Sequence, residues 1–262
     1  MLHVKSKREL DIMRKSGKLV AEVLKELFRM AAPGVTLEDL DRHAEKMTLA
    51  FGAKPAFKGY MGYRHSLCTS VNEQVVHGIP SGRKLVDGDI VGLDFGLVYE
   101  GFYGDSAITV PIGKVSDEAK TLMKATVDSL YAGIAAARAG NTLKDIARAV
   151  EGTVKPFGYG VVREFVGHGI GEKLHEDPQI PNYEAGASNL KLRAGMTICI
   201  EPMINLGGSG VRVLEDKWTA VTKDGKLSAH FEHSLAITDG EPEVLTEWED
   251  LGFRKVLEGL PS

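Results

Sequence analysis

Alternating and periodic apolar positions divide most of the chain into helices and strands. Apolar residues recur at three- and four-residue spacing over residues 7–31 and 117–138, and a glycine follows each stretch, which predicts two long amphipathic helices. Two runs, Ile90 to Val98 and Phe102 to Val110, are rich in β-branched and aromatic residues and flank the turn-forming pair Glu100-Gly101. These runs predict a buried β-hairpin.

Two carboxylates, Asp94 and Asp105, lie within the apolar hairpin. A two-residue turn at Tyr99-Glu100 makes them direct cross-strand partners, and a turn at Glu100-Gly101 makes them diagonal neighbours. In both cases the two side chains lie on one face of the hairpin, about 4.5–8 Å apart. Two ionised carboxylates that close in an apolar sheet require a cation or a shared proton. The hairpin therefore favours a metal site.

An internal duplication organises the chain. Residues 34–52 and 140–158 align without a gap, and both segments begin a helix with a T-x-x-D capping box, at Thr36 and at Thr142. Because each copy follows one of the long predicted helices, each half of the chain has two helices. The identical pairs are Gly34/Gly140, Thr36/Thr142, Leu37/Leu143, Asp39/Asp145, Arg42/Arg148, Glu45/Glu151, Phe51/Phe157 and Gly52/Gly158.

The correspondence continues into the strands. The segment DGDIVGLD ends at Asp94 and the segment RAGMTICIE ends at Glu201, so both predicted strands end on a carboxylate. We expect a longer hairpin to connect Glu201 to Glu232, which lies on the polar face of the alternating segment SAHFEHSLAIT. A pseudo-two-fold axis between the halves brings the four carboxylates together. We therefore expect one α+β domain over residues 1–262, with halves of roughly 1–110 and 111–250.

Histidines complete a set of hard donors. His168 is enclosed by glycines in VGHGIG, which lets the backbone approach another group while the imidazole projects freely, and turn signals follow His77 and His175. Four carboxylates and one imidazole suit Mn²⁺, Fe²⁺, Co²⁺ or Zn²⁺ and carry enough charge for two ions. Glycoside hydrolysis also uses paired acids, but it requires one protonated acid and a sugar-stacking cleft, for which the chain has no signal.

Composition narrows the function classes. The net charge is −4 with scattered Lys and Arg, so we expect no direct binding of nucleic acid. The first ten residues lack an apolar signal core and no window has eighteen consecutive apolar residues, so we expect neither membrane insertion nor export, and a cytoplasmic protein. Cys68 and Cys199 are too few for a disulfide framework and are interpreted as reduced and packed.

The ordered set Asp94, Asp105, His168, Glu201 and Glu232 resembles the five metal ligands of type I methionine aminopeptidases. The motifs NEQVVHGIP, LDFGLVYEGFYGDSAIT, VGHGIG, LHEDP, ICIEP and FEHSLAIT occur in the order and approximate spacing of that family. The chain has no long amino-terminal extension and no large insertion, so it is similar to the short bacterial form. The resemblance implies the α+β pita-bread fold, in which two pseudo-two-fold-related helix–strand halves surround a central antiparallel sheet.

The resemblance also implies a metallopeptidase mechanism. Asp94 would chelate one of two divalent ions, Asp105 and Glu232 would bridge both, and His168 and Glu201 would complete the other shell. The hydroxide held between the ions would remove the N-terminal methionine from nascent proteins and peptides with a small second residue. Glu201 would relay a proton, His175 would stabilise the oxyanion, and His77 would contact the amide nitrogen. The methionine pocket would comprise Tyr60, Tyr63, Cys68 and Trp218, together with His77 and His175.

Four residues depart from the bacterial pattern. Phe57, Met61, Leu174 and His230 stand where that pattern has Cys, His, Phe and Gln. The first three bear on the shape of the pocket, and His230 adds a titratable group on the same strand face as Glu232. The resemblance gives the partners as N-terminal methionine peptides and nascent proteins. We expect a monomer that contacts the ribosome only transiently.

Two rival functions share the fold. Proline-directed aminopeptidases and prolidases use the same metal ligands but carry a separate amino-terminal domain, for which this chain has no room before the first metal-bearing strand. A binding module without catalysis would also keep the fold, but such relatives typically lose metal ligands, and all five are present here. The sequence therefore favours the methionine-directed enzyme.

Overall fold

A computed structural model describes residues 4–248 and residue 251, which form four α-helices and fifteen short and long strands. The helices are α1 (Lys7–Met30), α2 (Leu37–Ala50), α3 (Asp117–Ala136) and α4 (Leu143–Val154). The strands are β1 (Lys54–Pro55), β2 (Leu67–Val71), β3 (Gln74–Val76), β4 (Ile90–Tyr99), β5 (Phe102–Pro111), β6 (Gly160–Val161), β7 (Gly167–Gly169), β8 (Glu176–Ile180), β9 (Thr197–Ile200), β10 (Met203–Asn205), β11 (Val211–Val213), β12 (Ala220–Thr222), β13 (Ser228–His230), β14 (Glu232–Ala236) and β15 (Glu243–Val244). Within these residues no helix is long and apolar enough to cross a membrane.

The predicted capping boxes begin helices α2 and α4. The Thr36 hydroxyl accepts a hydrogen bond from the Asp39 N–H at 3.1 Å, and the Asp39 carboxylate accepts one from the Thr36 N–H. Thr142 and Asp145 form the same reciprocal pair. Each box satisfies two N–H groups that a helix start otherwise leaves unpaired. The long helices α1 and α3 begin where the periodicity predicted and end one to two residues earlier.

Strands β4 and β5 form the predicted hairpin around a two-residue turn. Glu100 and Gly101 both have positive φ, 49° and 86°, which matches the twist of the flanking strands, and Tyr99 pairs with Phe102. Asp94 pairs with Ala107 and Asp105 pairs with Gly96, so the two carboxylates are diagonal neighbours on one face. The second of the two predicted registers is therefore the one that forms.

The prediction that both metal-bearing strands end on a carboxylate is wrong for Asp94. Strand β4 continues to Tyr99, because Phe95 and Leu97 are buried in the core and the ladder with β5 runs to the turn. Strand β9 does end at Ile200, one residue before Glu201, because Pro202 has no N–H to continue a ladder. Asp94 thus lies in mid-strand, whereas Glu201 lies just beyond a strand end.

The central sheet is antiparallel and nearly symmetric in its strand order. Its main path is β1-β4-β5-β14-β9-β7-β8, with β2 also paired to β4 and β15 to β14. The two hairpins meet where β5 pairs with β14, and the helices of each half pack on the sheet, α1 against β4 and β5 and α3 against β9 and β14. The core fills the space between sheet and helices, and it includes Leu24 and Leu27 of α1 together with Leu93 and Phe95 of β4.

Side-chain hydroxyls replace backbone pairing at the junction of β5 and β14. Only two residue pairs join these strands, Glu232 with Ala107 and His233 with Ser106. Beyond them, the Ser234 hydroxyl donates to the Asp105 carbonyl at 2.7 Å and accepts from the Asp105 N–H at 3.2 Å. The Thr109 hydroxyl bonds the N–H and the carbonyl of His230 in the same way. These hydroxyls hold the two carboxylate-bearing strands together.

We predict that Ser234→Ala lowers the free energy of unfolding by about 1–3 kcal/mol, because it leaves a buried carbonyl and a buried N–H of Asp105 without their partner. Denaturant unfolding of the metal-free protein measures this change. Ser81→Ala, at an exposed loop position, is the matched control and is expected to change stability by less than about 0.5 kcal/mol. Equal stability of Ser234→Ala and the control would show that the hydroxyl contributes nothing to the junction.

Candidate metal centre and substrate pocket

The carboxylates lie in one row across four strands. Asp94 pairs with Ala107, and Ala107 pairs with Glu232. Ile200 at the end of β9 pairs with His233, and Met203 at the start of β10 pairs with His230. Glu201, one residue after Ile200, therefore lies opposite Glu232, one residue before His233. Asp105 lies two residues before Ala107 on β5, so its side chain points to the same face of the sheet. The small Ala107 side chain separates Asp94 from Glu232 and leaves space in front of the row.

His168 approaches this row from β7, which lies beside β9. A Cβ on Gly167 would come within 2.3 Å of the Cys199 carbonyl oxygen, and one on Gly169 equally close to the Asp177 carbonyl oxygen, so both flanking positions require glycine. The His168 Nδ1–H donates to the Gly169 carbonyl at 2.9 Å. Its Nε2 therefore faces the acids, 3.6 Å from Glu201 Oε1 and 3.9 Å from Asp105 Oδ2.

Burial and mutual repulsion favour the protonated forms of these acids. Burial raises the pKa of Asp94 to about 6. Burial raises the pKa of Asp105 and of Glu232 well above the usual range, and the neighbouring carboxylates raise both further. The pKa of Glu201 rises for the same reasons, burial first and then the charge of Asp94. Burial lowers the pKa of His168 to about 3, so its imidazole is neutral and its Nε2 lone pair is free.

The donor set fits divalent cations. Among the described residues, three fully buried carboxylate oxygens find no hydrogen-bond partner, namely Asp94 Oδ1, Asp105 Oδ1 and Glu232 Oε1. One set of mutually close donor atoms, within 4.8 Å, comes from Asp94, Asp105 and Glu232. Unpartnered buried oxygens are rare in proteins, and a cation satisfies them and offsets their charge. Carboxylates with an imidazole are the donors that Mn²⁺, Fe²⁺, Co²⁺ and Zn²⁺ accept.

Cys199 also lies near this cluster, and its thiol contacts a neighbouring hydroxyl. It belongs to a geometric donor set with His168 and Glu232. Burial, followed by the charges of Glu232 and Asp105, raises its pKa far above neutrality, and its Sγ lies 3.3 Å from the Ser234 hydroxyl. Both cysteines are free and buried, as the sequence predicted.

A cavity of about 300 Å³ opens above the carboxylate row, at the small end of the range for small-molecule sites. All of the site residues predicted from the sequence line it. These are Tyr60, Tyr63, Cys68, His77, Asp94, Asp105, His168, His175, Glu201, Trp218 and Glu232. The floor of the cavity is acidic and its walls are largely apolar.

The backbone directs two further imidazoles into the cavity. His77 directly follows β3 and has φ of 60°, an unusual left-handed conformation for a residue other than glycine. Its ring lies edge-on to Phe165 at 5.2 Å, and burial lowers its pKa to about 4. The His175 Nδ1 lies 2.7 Å from the Tyr60 hydroxyl, and the His175 ring is 4.3 Å from that of His168. Burial lowers the pKa of His175 as well.

The apolar wall is built around Tyr63. Its hydroxyl shares its single proton between the carbonyls of Leu67 and Gly78, so its ring is fixed. Trp218 packs against this ring at 5.0 Å. Two of the four departures from the bacterial pattern, Phe57 and Leu174, pack into the same buried cluster with Tyr63 and Cys68. The third, Met61, is 82% exposed, so it lies at the mouth of the cavity.

Four residues of the site were not predicted from the sequence. Glu164, Phe165 and Val166 line the cavity, and their position directly before the Gly167-His168 motif is the signal that could have indicated them. Asn182 donates its amide N–H to the Glu201 carbonyl at 3.0 Å, and no sequence pattern indicated this contact. The fourth departure, His230, places its Nε2 3.6 Å from Glu201 Oε2.

Comparison with known proteins identifies the relatives of this chain. Residues 11–239 match Metallopeptidase family M24. The chain is 48% identical over 246 residues to methionine aminopeptidase 1 of Bacillus subtilis (strain 168), covering 94% of this chain and 99% of that protein. The crystal structure of methionine aminopeptidase from Thermotoga maritima superposes with a TM-score of 0.92 at 44% identity, covering 94% of this chain and 100% of that one.

Prolidases share the fold at greater distance. The prolidase from Pyrococcus horikoshii OT3 superposes with a TM-score of 0.75 at 22% identity, and this chain covers 63% of its length. These matches confirm the predicted pita-bread fold, the resemblance to methionine aminopeptidases and the predicted class of enzyme, a metal-dependent methionyl aminopeptidase. The chain belongs to metallopeptidase family M24.

Proposed function

We propose that this enzyme removes the N-terminal methionine from nascent proteins and peptides whose second residue is small, at a centre of two divalent metal ions. The observation that carries the proposal is the row of buried carboxylates with unpartnered oxygens at the floor of an apolar-walled cavity. Four carboxylates carry the charge that two divalent ions offset. The high identity to named methionine aminopeptidases supports the substrate class.

Five residues would hold the ions: Asp94, Asp105, His168, Glu201 and Glu232. Asp94 would serve one ion, His168 and Glu201 would serve the other, and Asp105 and Glu232 would serve both. The identity of the ions, Co²⁺, Mn²⁺, Fe²⁺ or Zn²⁺, stays open. When bound, such ions supply Lewis-acid chemistry that acidifies water and polarises a carbonyl.

Protein side chains would transfer the proton of the nucleophilic water and stabilise the negative charge that develops on the carbonyl oxygen. Glu201 has a pKa raised by burial, so it can accept a proton from the nucleophilic water and pass it to the leaving amine. The Tyr60 hydroxyl can donate to His175 Nδ1, which leaves the Nε2–H of a neutral imidazole to stabilise the oxyanion. His77 would contact the amide nitrogen, in an orientation that its backbone conformation and the Phe165 ring support.

The walls of the cavity would select the substrate. Tyr60, Tyr63, Cys68 and Trp218 offer a soft apolar surface that suits a thioether. His77, together with the ions when bound, would limit the space next to the scissile bond, so a small second residue would be favoured. Phe57 and Leu174 add bulk to the methionine side of this wall.

The remaining predictions concern the whole chain. We propose that residues 1–262 form one metallopeptidase domain with duplicated halves of roughly 1–110 and 111–250. Equivalent backbone hydrogen bonds support this, from Gly34 N–H to the Leu85 carbonyl and from Gly140 N–H to the Leu192 carbonyl. The cytoplasmic location, the monomeric state, the absence of direct nucleic-acid binding and the transient ribosome contact stay predictions from the sequence.

The substrate preference is tested with four tripeptides. We expect kcat/KM to be highest for Met-Ala-Ser and at least about tenfold lower for Met-Lys-Ser and Val-Ala-Ser, because one badly fitting side chain costs about 1–3 kcal/mol in an apolar pocket. Ala-Pro-Ser is the probe for a proline-directed enzyme. Equal rates on Met-Ala-Ser and Met-Lys-Ser would exclude the rule for a small second residue, and a preference for Ala-Pro-Ser would assign the protein to the proline-directed class.

The metal ligands are tested with Asp94→Asn and Glu232→Gln. We expect both variants to lose metal, measured by inductively coupled plasma mass spectrometry, and to lose peptidase activity, because a neutral amide does not offset a cation. Asp128→Asn, on helix α3 away from the cavity, is the matched control. Near-wild-type turnover of either ligand variant with full metal content would refute the assignment.

The metal-free form of Asp94→Asn gives a second measurement. The folded-state pKa of Asp94 is raised from 3.8 to about 6, so the stability from protonated Asp94 is present below about pH 4 and is lost as pH rises through about 6. We therefore expect metal-free Asp94→Asn to melt higher than the metal-free wild type at pH 7 and equally at pH 4. A lower melting temperature at pH 7 would show that the Asp94 charge stabilises the fold without metal.

The role of His175 is tested by His175→Ala. We expect kcat to fall by about two to three orders of magnitude, the usual loss for one oxyanion donor, with metal content unchanged. Tyr60→Phe, which removes only the hydroxyl that faces Nδ1, is expected to show a smaller loss in kcat. Loss of metal by His175→Ala with an unchanged rate per bound ion would make His175 a ligand instead.

A further inference from the structure

We propose that His230 is a sixth metal-ligand residue, whose Nε2 binds the ion that Glu201 and Glu232 hold. This inference rests on the proposed metal centre and adds to it a residue at which this chain departs from the pattern of its bacterial relatives. It concerns the ion on the Glu201 side of the row, because His230 lies opposite Met203, two residues beyond Glu201.

The fold fixes His230 so that its side chain faces the acids. His230 ends β13, two residues before Glu232, and therefore points to the same face of the sheet. The Thr109 hydroxyl accepts from its N–H at 2.9 Å and donates to its carbonyl at 2.8 Å, so the backbone is held on both sides. The residue is only 3% exposed. Its imidazole therefore faces the interior of the site.

The His230 Nε2 has no hydrogen-bond partner among the residues that the structure describes. The Glu201 Oε2 lies 3.6 Å from it, beyond the 2.7–3.2 Å of an N–H···O hydrogen bond. Two donors bound to one ion at about 2.1 Å each are separated by about 3 to 4 Å. The spacing of these two atoms therefore suits a shared cation better than a direct hydrogen bond.

His230 and His168 lie at the same distance from the Glu201 carboxylate. The His168 Nε2 lies 3.6 Å from Oε1 of Glu201, and the His230 Nε2 lies 3.6 Å from Oε2 of the same carboxylate. The carboxylate thus stands between two buried imidazoles, each facing a different oxygen. Donor atoms of Glu201, His230 and Glu232 all lie within 4.8 Å of one another, which completes a set of three ligands.

The charge of the site is compatible with this role. An imidazole binds a metal ion through the lone pair of a ring nitrogen, and the neutral ring is the form that does so. A neutral ligand adds a bond to the ion without changing the balance between four carboxylates and two divalent cations. It also gives the otherwise unsatisfied Nε2 a partner.

Cobalt(II) substitution tests the proposal directly. Metal-free enzyme is titrated with Co²⁺, and proton NMR counts the exchangeable, hyperfine-shifted N–H signals of imidazoles bound to the ion. We expect two such signals in the wild type, from His168 and His230, and one in His230→Gln, with one ion bound about 10–100-fold more weakly in the variant. Glutamine keeps a polar side chain of similar length. His43→Gln, on helix α2 outside the cavity, is the matched control and should keep both signals.

The outcomes separate this inference from the proposed centre. Binding of two Co²⁺ ions by the wild type with a single imidazole signal, or unchanged affinity in His230→Gln, would overturn the role of His230 and leave the dinuclear centre intact. Failure of the wild type to bind two ions would overturn the centre and the inference together. If His230→Gln does not fold by circular dichroism, His168→Gln decides, because it should retain one signal that comes from His230.

Discussion

The structure depends on the mutual proximity of carboxylates that, within the described residues, form no ion pair with a lysine or an arginine and face only histidines. The rise in the pKa of Asp94 from 3.8 to about 6 corresponds to about 3 kcal/mol against its ionised form. Asp105 and Glu232 carry the additional repulsion of their neighbours. A sheet folds around such a row only if the rest of the core compensates. The same unfavourable arrangement, once metal is bound, becomes a strong cation site.

The compensation comes from both sides of the row. On the side of the helices, apolar residues such as Leu93 and Phe95 belong to the buried core that includes residues of α1. The face of the strand opposite to the acid is therefore held by hydrophobic burial. Between the strands, hydroxyl groups of Ser234 and Thr109 replace missing ladder bonds at the junction of the halves. The spacing of Asp105 and Glu232 is therefore set by hydrogen bonds of neighbouring residues and not by the acids themselves.

The cavity has two parts, a floor of carboxylates and a wall of largely apolar side chains. The floor follows from the pairing of four strands, which the whole fold provides and which prolidases share at low identity. The wall is supplied by segments outside those strands, including Tyr60 and Tyr63 before β2 and Trp218 before β12. In the proposed site, the residues that would select the substrate side chain are not those that would hold the metal, so substrate choice can differ between proteins of one fold.

The sequence alone determined the elements and the chemical types of the site. Helix starts at Thr36 and Thr142 and the hairpin around Glu100-Gly101 depend on local hydrogen bonds and backbone preferences, which a short segment contains in full. Tertiary structure decided the rest. Whether Asp94 ends its strand depends on how Phe95 and Leu97 are buried in the assembled core. The distance of His230 from Glu201 depends on the pairing of β10 with β13. Contacts between residues far apart in sequence arise from packing of the complete sheet, and no local pattern encodes them.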